Sequence, residues 1–122
     1  MKFLARHEPN AYLLLRLVFG FLFACHGVGK TFGMLGQPKP HEVLEWTGTG
    51  IEMVGGILIL IGLLTPLAAF ISSGEMAVGY FMFHQPHGSL PIQNHGELAV
   101  IYCFVALYIA CRGTGKWGVD KS

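Results

Sequence analysis

Ionisable side chains recur inside runs that are otherwise apolar. Arg16, His26 and Lys30 lie in LLLRLVFGFLFACHGVGKTFG, Glu52 in IEMVGGILILIGLL, Glu75 in the stretch after Thr65-Pro66, and Glu97 in the NHGEL that opens a fourth run. In hydrocarbon such a group costs about 2.5–3.5 kcal/mol on insertion scales unless it is paired, so each is a candidate for function. At about 100° per residue, Arg16, Gly20, Phe23, His26, Gly27 and Lys30 share one arc of a helix. Glu52 shares a face with Gly55, Gly56 and Gly62, Glu75 with Ala68, Ser72 and Gly79, and Glu97 with Ile101, Phe104 and Tyr108. Small residues on such faces let neighbouring helices approach closely. His26, Lys30, Glu52 and Glu97 are the expected ligand-binding or proton-handling group. Arg16 and Glu75 are the expected buried ion pair. Lys30 with Glu52 or Glu97 is an alternative pair that would only fix helix order.

A carboxyl group and an imidazole beside a lysine can exchange protons near neutral pH, because burial and a neighbouring cation act on a carboxyl in opposite directions. Quinone chemistry needs that equipment: a proton donor or acceptor near a carbonyl oxygen and an apolar slot for the ring. A metal site from His26, Glu52, Glu97 and a loop histidine is the weaker reading. His84 and His87 form only an HxxH at the end of a proline-flanked loop, and no tight two-ligand helical motif is present. His7 and His41 read as solvated. Cys103 and Cys111 stand eight residues apart, about 12 Å on a helix, too far for a disulfide. With Cys25 they read as buried, inert thiols. Phe81 and Phe83 read as lipid or packing contacts.

These residues need elements to position them, and the composition says which. With 52% hydrophobic and 12% charged residues in a chain of 122, there is little polar material to cover a soluble surface. The mean hydropathy of +0.53 points to lipid as the main solvent. A net charge of +1 without a basic cluster argues against nucleic acid. Four apolar spans follow, near residues 11–32, 49–64, 66–84 and 95–112. Lipid obliges the backbone to pair within each span, so the expected fold is all-α, four transmembrane helices in an antiparallel bundle forming one domain over 1–122. Residues 33–48 form a loop long enough to dip back or to carry a short helix. Thr65-Pro66 is a tight turn, and 85–94 lacks regular structure. Lys2, Arg6, Arg112, Lys116 and Lys121 gather on one side, which places both termini in the cytoplasm and the polar group on the outside. The N-terminal run reads as an uncleaved anchor. Trp46 and Trp117, with Tyr12, Tyr80 and Tyr108, read as interfacial belt residues.

The first two apolar runs and the NHGEL motif resemble the DoxX family of small bacterial inner-membrane proteins, from about Leu13 to Arg112. The resemblance covers Arg16, His26, Gly27, Lys30, Glu52, Gly56, Gly62, Thr65 and Glu97. His95 stands where the family more often has a second glycine, so any role for it belongs to this chain. The resemblance implies a four-span protein of the bacterial inner membrane with a loose association to redox biology, including membrane oxidoreductase complexes.

Three functions follow as expectations. The first is a quinone-interacting, redox-associated membrane module with an outward-facing site. No haem-type axial pair, CxxC or nucleotide loop is present, so electrons would come from an oxidoreductase partner or from the substrate. The second is a non-enzymatic scaffold or assembly subunit whose inward charges only hold the helices together. A proton path through Glu75, His26 and Glu97 is a third. Gly55, Gly56 and Gly62 would serve either a homo-oligomer or packing within the monomer.

Overall fold

In the computed structural model, which describes residues 2–120, the regular elements are helical and no strand occurs among the described residues. A single turn, α1 (Lys2–Ala5), precedes α2 (Glu8–Phe32), α3 (Val43–Ile61) and α4 (Thr65–Gly79). The chain then continues through five residues of π-helix, Tyr80–His84, and a 3-10 turn, Gln85–His87. A one-turn α5 (Pro91–Asn94) leads into α6 (Glu97–Arg112). Of these, α2 and α3 are long and apolar enough to cross a membrane.

The boundaries differ from the apolar runs where polar residues extend a helix. α3 begins at Val43 rather than at residue 49, because hydropathy reports lipid and not backbone pairing. Glu45 sits in its first turn, where a carboxylate favours the helix N-terminus, and accepts a hydrogen bond from the His41 amide at 2.7 Å. The turn between α3 and α4 falls at residues 62–64, with Gly62 and Leu64 both left-handed, and Thr65 already opens α4. Residues 85–94 hold two short helical turns where irregular chain was expected.

Helix α2 packs antiparallel on α3, as the pairs along their contact show. A Cβ on Gly20 would lie 2.6 Å from the Leu60 nitrogen, one on Gly56 would overlap Ala24, and one on Gly27 would overlap Met53. Main chain therefore meets main chain at three heights. α4 runs antiparallel to α6, with the Ser73 hydroxyl donating to the Cys103 carbonyl and Gly96 packed on the Tyr80 ring. α3 joins the two pairs through Gly55, which faces Ser72. Phe19, Phe23, Ile59, Ala69, Tyr102, Ala106 and Ile109 fill the shared core, with Tyr102 set edge-on to both phenylalanines.

The chain after α6 folds beneath this core. Arg16, fully buried, donates to the carbonyls of Thr114, Lys116 and Trp117. The amides of Val119 and Asp120 donate to the carbonyls of Ile61 and Gly62, and the Asp120 carboxylate accepts from the Leu64 amide. Tyr12 is buried and donates to the Gly113 carbonyl, and Tyr80 is buried against Asn94, so neither ring is exposed as a lipid-contacting belt residue would be. Arg112 pairs with Glu8 at 2.8 Å across the same end. The three cysteines are free, and Cys111 is exposed rather than buried.

Two stability predictions follow from this packing. Gly27→Ala should lower stability in detergent by about 1–3 kcal/mol, the usual cost of overpacking. Gly50→Ala, which meets nothing within 4 Å, should be neutral or raise stability by up to about 1 kcal/mol. Thermal unfolding followed by circular dichroism checks both. Arg16→Leu should release residues 114–120, seen as faster proteolysis after Lys116 with the helical signal largely retained.

Candidate functional site

Lys30 lies in the last turn of α2, where the helix dipole favours a cation. One turn earlier, Gly27 admits the Met53 main chain, and this approach sets Lys30 directly beside Glu52 on α3. The ammonium donates to both carboxylate oxygens of Glu52, at 3.0 and 3.1 Å. Glu52 is 3% exposed and Lys30 32%, so the pair is dry on the carboxylate side and open on the lysine side. From α4, the Glu75 carboxyl lies against Glu52, over the bare face of Gly48. One Glu75 carboxyl oxygen is buried without a hydrogen-bond partner.

Above this group opens a cavity of about 530 Å³. Its apolar walls include Leu44 and Ile51 of α3, Met76 and Val78 of α4, and Met82 and Phe83 of the π-helical segment. Lys39, His41, Glu45 and His84 stand among them. The wider π turn gives residues 80–84 a different angular spacing from α4, and such turns are frequent at functional sites. A second cavity, of about 290 Å³, shares Lys30, Glu52 and His84 with the first and is lined by His26 and His95. His26 packs edge-on against Tyr102, and His84 Nδ1 lies 3.2 Å from the Asn94 carbonyl.

The structure thus places Lys30, Glu52 and His26 around adjoining cavities. Glu97 is separate from them. It is exposed, opens α6 immediately after Gly96, and lines neither cavity. The Asn94 side chain caps the Gly96 amide at 2.9 Å and fixes that turn, leaving Glu97 in the first turn of the helix facing outward. Arg16 and Glu75 do not pair either. Arg16 lies at Gly62 and Glu75 at Gly48, fourteen residues apart along α3, or roughly 21 Å at 1.5 Å per residue. The expected pairing assumed a common depth that the antiparallel register of α3 excludes. His95 takes a left-handed backbone, φ 61°, the conformation that glycine adopts most cheaply.

Phe83, Lys39 and His41 line the larger cavity, although their sequence context reads as lipid contact or solvated loop. The one signal for Phe83 was its position beside His84 at the end of an apolar run. Among the described residues no three His, Cys, Asp or Glu side chains converge in metal-binding geometry.

Helices with exposed apolar faces, holding a lysine–glutamate pair buried on its carboxylate side beneath an apolar-walled cavity, are those of a helical membrane protein. The DoxX family model matches residues 11–85, and the chain belongs to that family. An uncharacterised protein of Haemophilus influenzae is 38% identical, covering 99% of this chain and 96% of its own. The inner membrane protein YqjF of Escherichia coli is 27% identical over 93% and 92% of the two chains. A Bacillus subtilis protein named "Putative oxidoreductase CatD" is 23% identical over 88% and 83%. No solved structure matches.

Lys30→Met leaves Glu52 without its cation. Stability should fall by about 2–4 kcal/mol, below the roughly 3–5 kcal/mol of a fully buried pair because Lys30 keeps partial solvent contact. The double variant Lys30→Met/Glu52→Gln should regain most of that loss, and a double-mutant cycle in detergent measures the difference.

Proposed function

We propose that the protein is a quinone-interacting, redox-associated module of the bacterial inner membrane, with the 530 Å³ cavity as the head-group site. One observation carries the reading: a charged hydrogen-bonding group, Lys30 with Glu52, forms the floor of an otherwise mostly apolar slot. Ligand pockets commonly measure about 300–1,000 Å³ and combine apolar walls with a few placed polar groups. Lys30 is the donor to a quinone carbonyl, Glu52 holds that ammonium in place, and Met82 and Phe83 flank the ring. His26 serves the adjoining cavity as a proton relay. The names of two relatives, an inner membrane protein and a protein designated an oxidoreductase, agree with this setting.

In this reading all four longer helices span the bilayer as one domain. α4 and its π-helical continuation make an uninterrupted helical run over residues 65–84, long enough for the hydrocarbon core. Each of the four exposes an apolar face, through Leu14, Val18 and Phe21 on α2, Val54 and Ile57 on α3, Leu67 and Phe70 on α4, and Ile101 and Phe104 on α6. Lys2, Arg6, Arg112 and Lys116 lie at the end where α2 begins and α6 finishes, and this positive charge supports a cytoplasmic placement of that end with the cavity on the outer side. Electrons reach the site through a membrane oxidoreductase partner or the bound quinol itself.

Binding of a short-chain ubiquinone to protein in mild detergent, with extraction and native mass spectrometry of what copurifies, tests the proposal. Wild type should bind one quinone, and Lys30→Met should weaken binding at least tenfold, about 1.4 kcal/mol. Glu97→Gln should leave it unchanged. An empty protein that copurifies with a stoichiometric protein partner would overturn the quinone reading in favour of a scaffold.

A further inference from the structure

The neighbours of Glu52 leave an imbalance that the lysine pairing does not settle. Lys30 contributes one positive charge, and Glu52 and Glu75 contribute two carboxyl groups. Fully ionised, the trio carries a net charge of minus one; with one proton on the carboxyl pair it is neutral. A buried uncompensated charge is far costlier than a neutral, hydrogen-bonded arrangement. Both Glu52 oxygens already accept from Lys30, and a Glu75 oxygen is buried with no partner at all. Two carboxyl groups in contact cannot both carry charge cheaply, whereas one proton between them supplies a hydrogen bond.

Among the described residues, no other charged or titratable group around the trio forms an ion pair with Glu52 or Glu75. Around the larger cavity these groups are Lys39 and His41 from the connection after α2, Glu45 on α3 and His84 on the π-helical segment. Lys39 packs its stem against Gly33, and Glu45 accepts from the His41 amide. Around the smaller cavity, His26 of α2 stands against Tyr102 of α6, and His95 is exposed.

We propose that Glu52 and Glu75 form a proton-binding site, holding one shared proton beside Lys30 and exchanging it with the aqueous phase through the 530 Å³ cavity. The site requires no quinone, so it stands or falls separately from the ligand reading. A proton arriving from water adds to the pair, and the same proton leaves to water. Glu75 therefore has a role that pairing with Arg16 would have denied it.

The stoichiometry makes the site testable. Infrared spectroscopy of the purified protein at neutral pH, in light and heavy water, counts protonated carboxyl groups by their C=O stretch. Wild type should show one that shifts in heavy water. Glu75→Gln should show none, because Lys30 balances Glu52 alone, and Glu52→Gln should show none, because Lys30 then balances Glu75. Lys30→Met should show two. Absence of the band in wild type, or its persistence in Glu75→Gln, overturns the site. If one glutamine variant fails to fold, the other and Lys30→Met still decide the count.

Discussion

Everything at the candidate site depends on the closeness of α2 and α3. Gly20, Gly27 and Gly56 remove the side chains that would hold the two main chains apart. In a membrane, where lipid tails are as apolar as a leucine side chain, such contact supplies dispersion and packing that apolar burial alone does not. Its consequence is geometric. With Met53 against Gly27, the lysine one turn further along α2 falls within hydrogen-bond reach of Glu52.

The two ends of the helical assembly use buried polar groups in different ways. At the end carrying residues 114–120, the two terminal nitrogens of Arg16 donate to main-chain carbonyls while its Nε stays unpartnered, and these bonds hold that segment under the turn between α3 and α4. Carbonyl dipoles stand in for a counter-ion at the two terminal nitrogens, so that end presents a closed structural joint. At the other end the charges face a cavity. Lys30 is paired but partly exposed, one Glu75 oxygen has no partner, and the walls are largely apolar. Only the second arrangement has room for a ligand or a mobile proton.

Much of this was legible in the sequence, and the illegible part has a physical cause. The 3.6-residue period put Arg16, Gly20, Gly27 and Lys30 on one face of α2, and the structure keeps them there. The glycines beside Glu52 marked the facing surface. The axial register between helices could not be read, since a helical wheel gives angle and no height. Hence a helical wheel matches Arg16 and Glu75, both inward, across a separation that the antiparallel run of α3 forbids. Glu97 looked internal because NHGEL sits at the head of an apolar run, yet the Asn94 cap turns that first position outward. The π-helical stretch, which presents Phe83 to the cavity, leaves no mark in a pattern counted at 3.6 residues per turn.

A ligand held in the slot above Lys30 and Glu52 would touch the slot's apolar walls. Photo-crosslinking with an azido-quinone, followed by peptide mapping, tests it most directly in protein held in native-like bilayers. Labels are expected on Met76, Met82 and Phe83, which flank the slot. Labels confined to the outward apolar faces, at residues such as Phe21, Phe70 and Phe104, would contradict it.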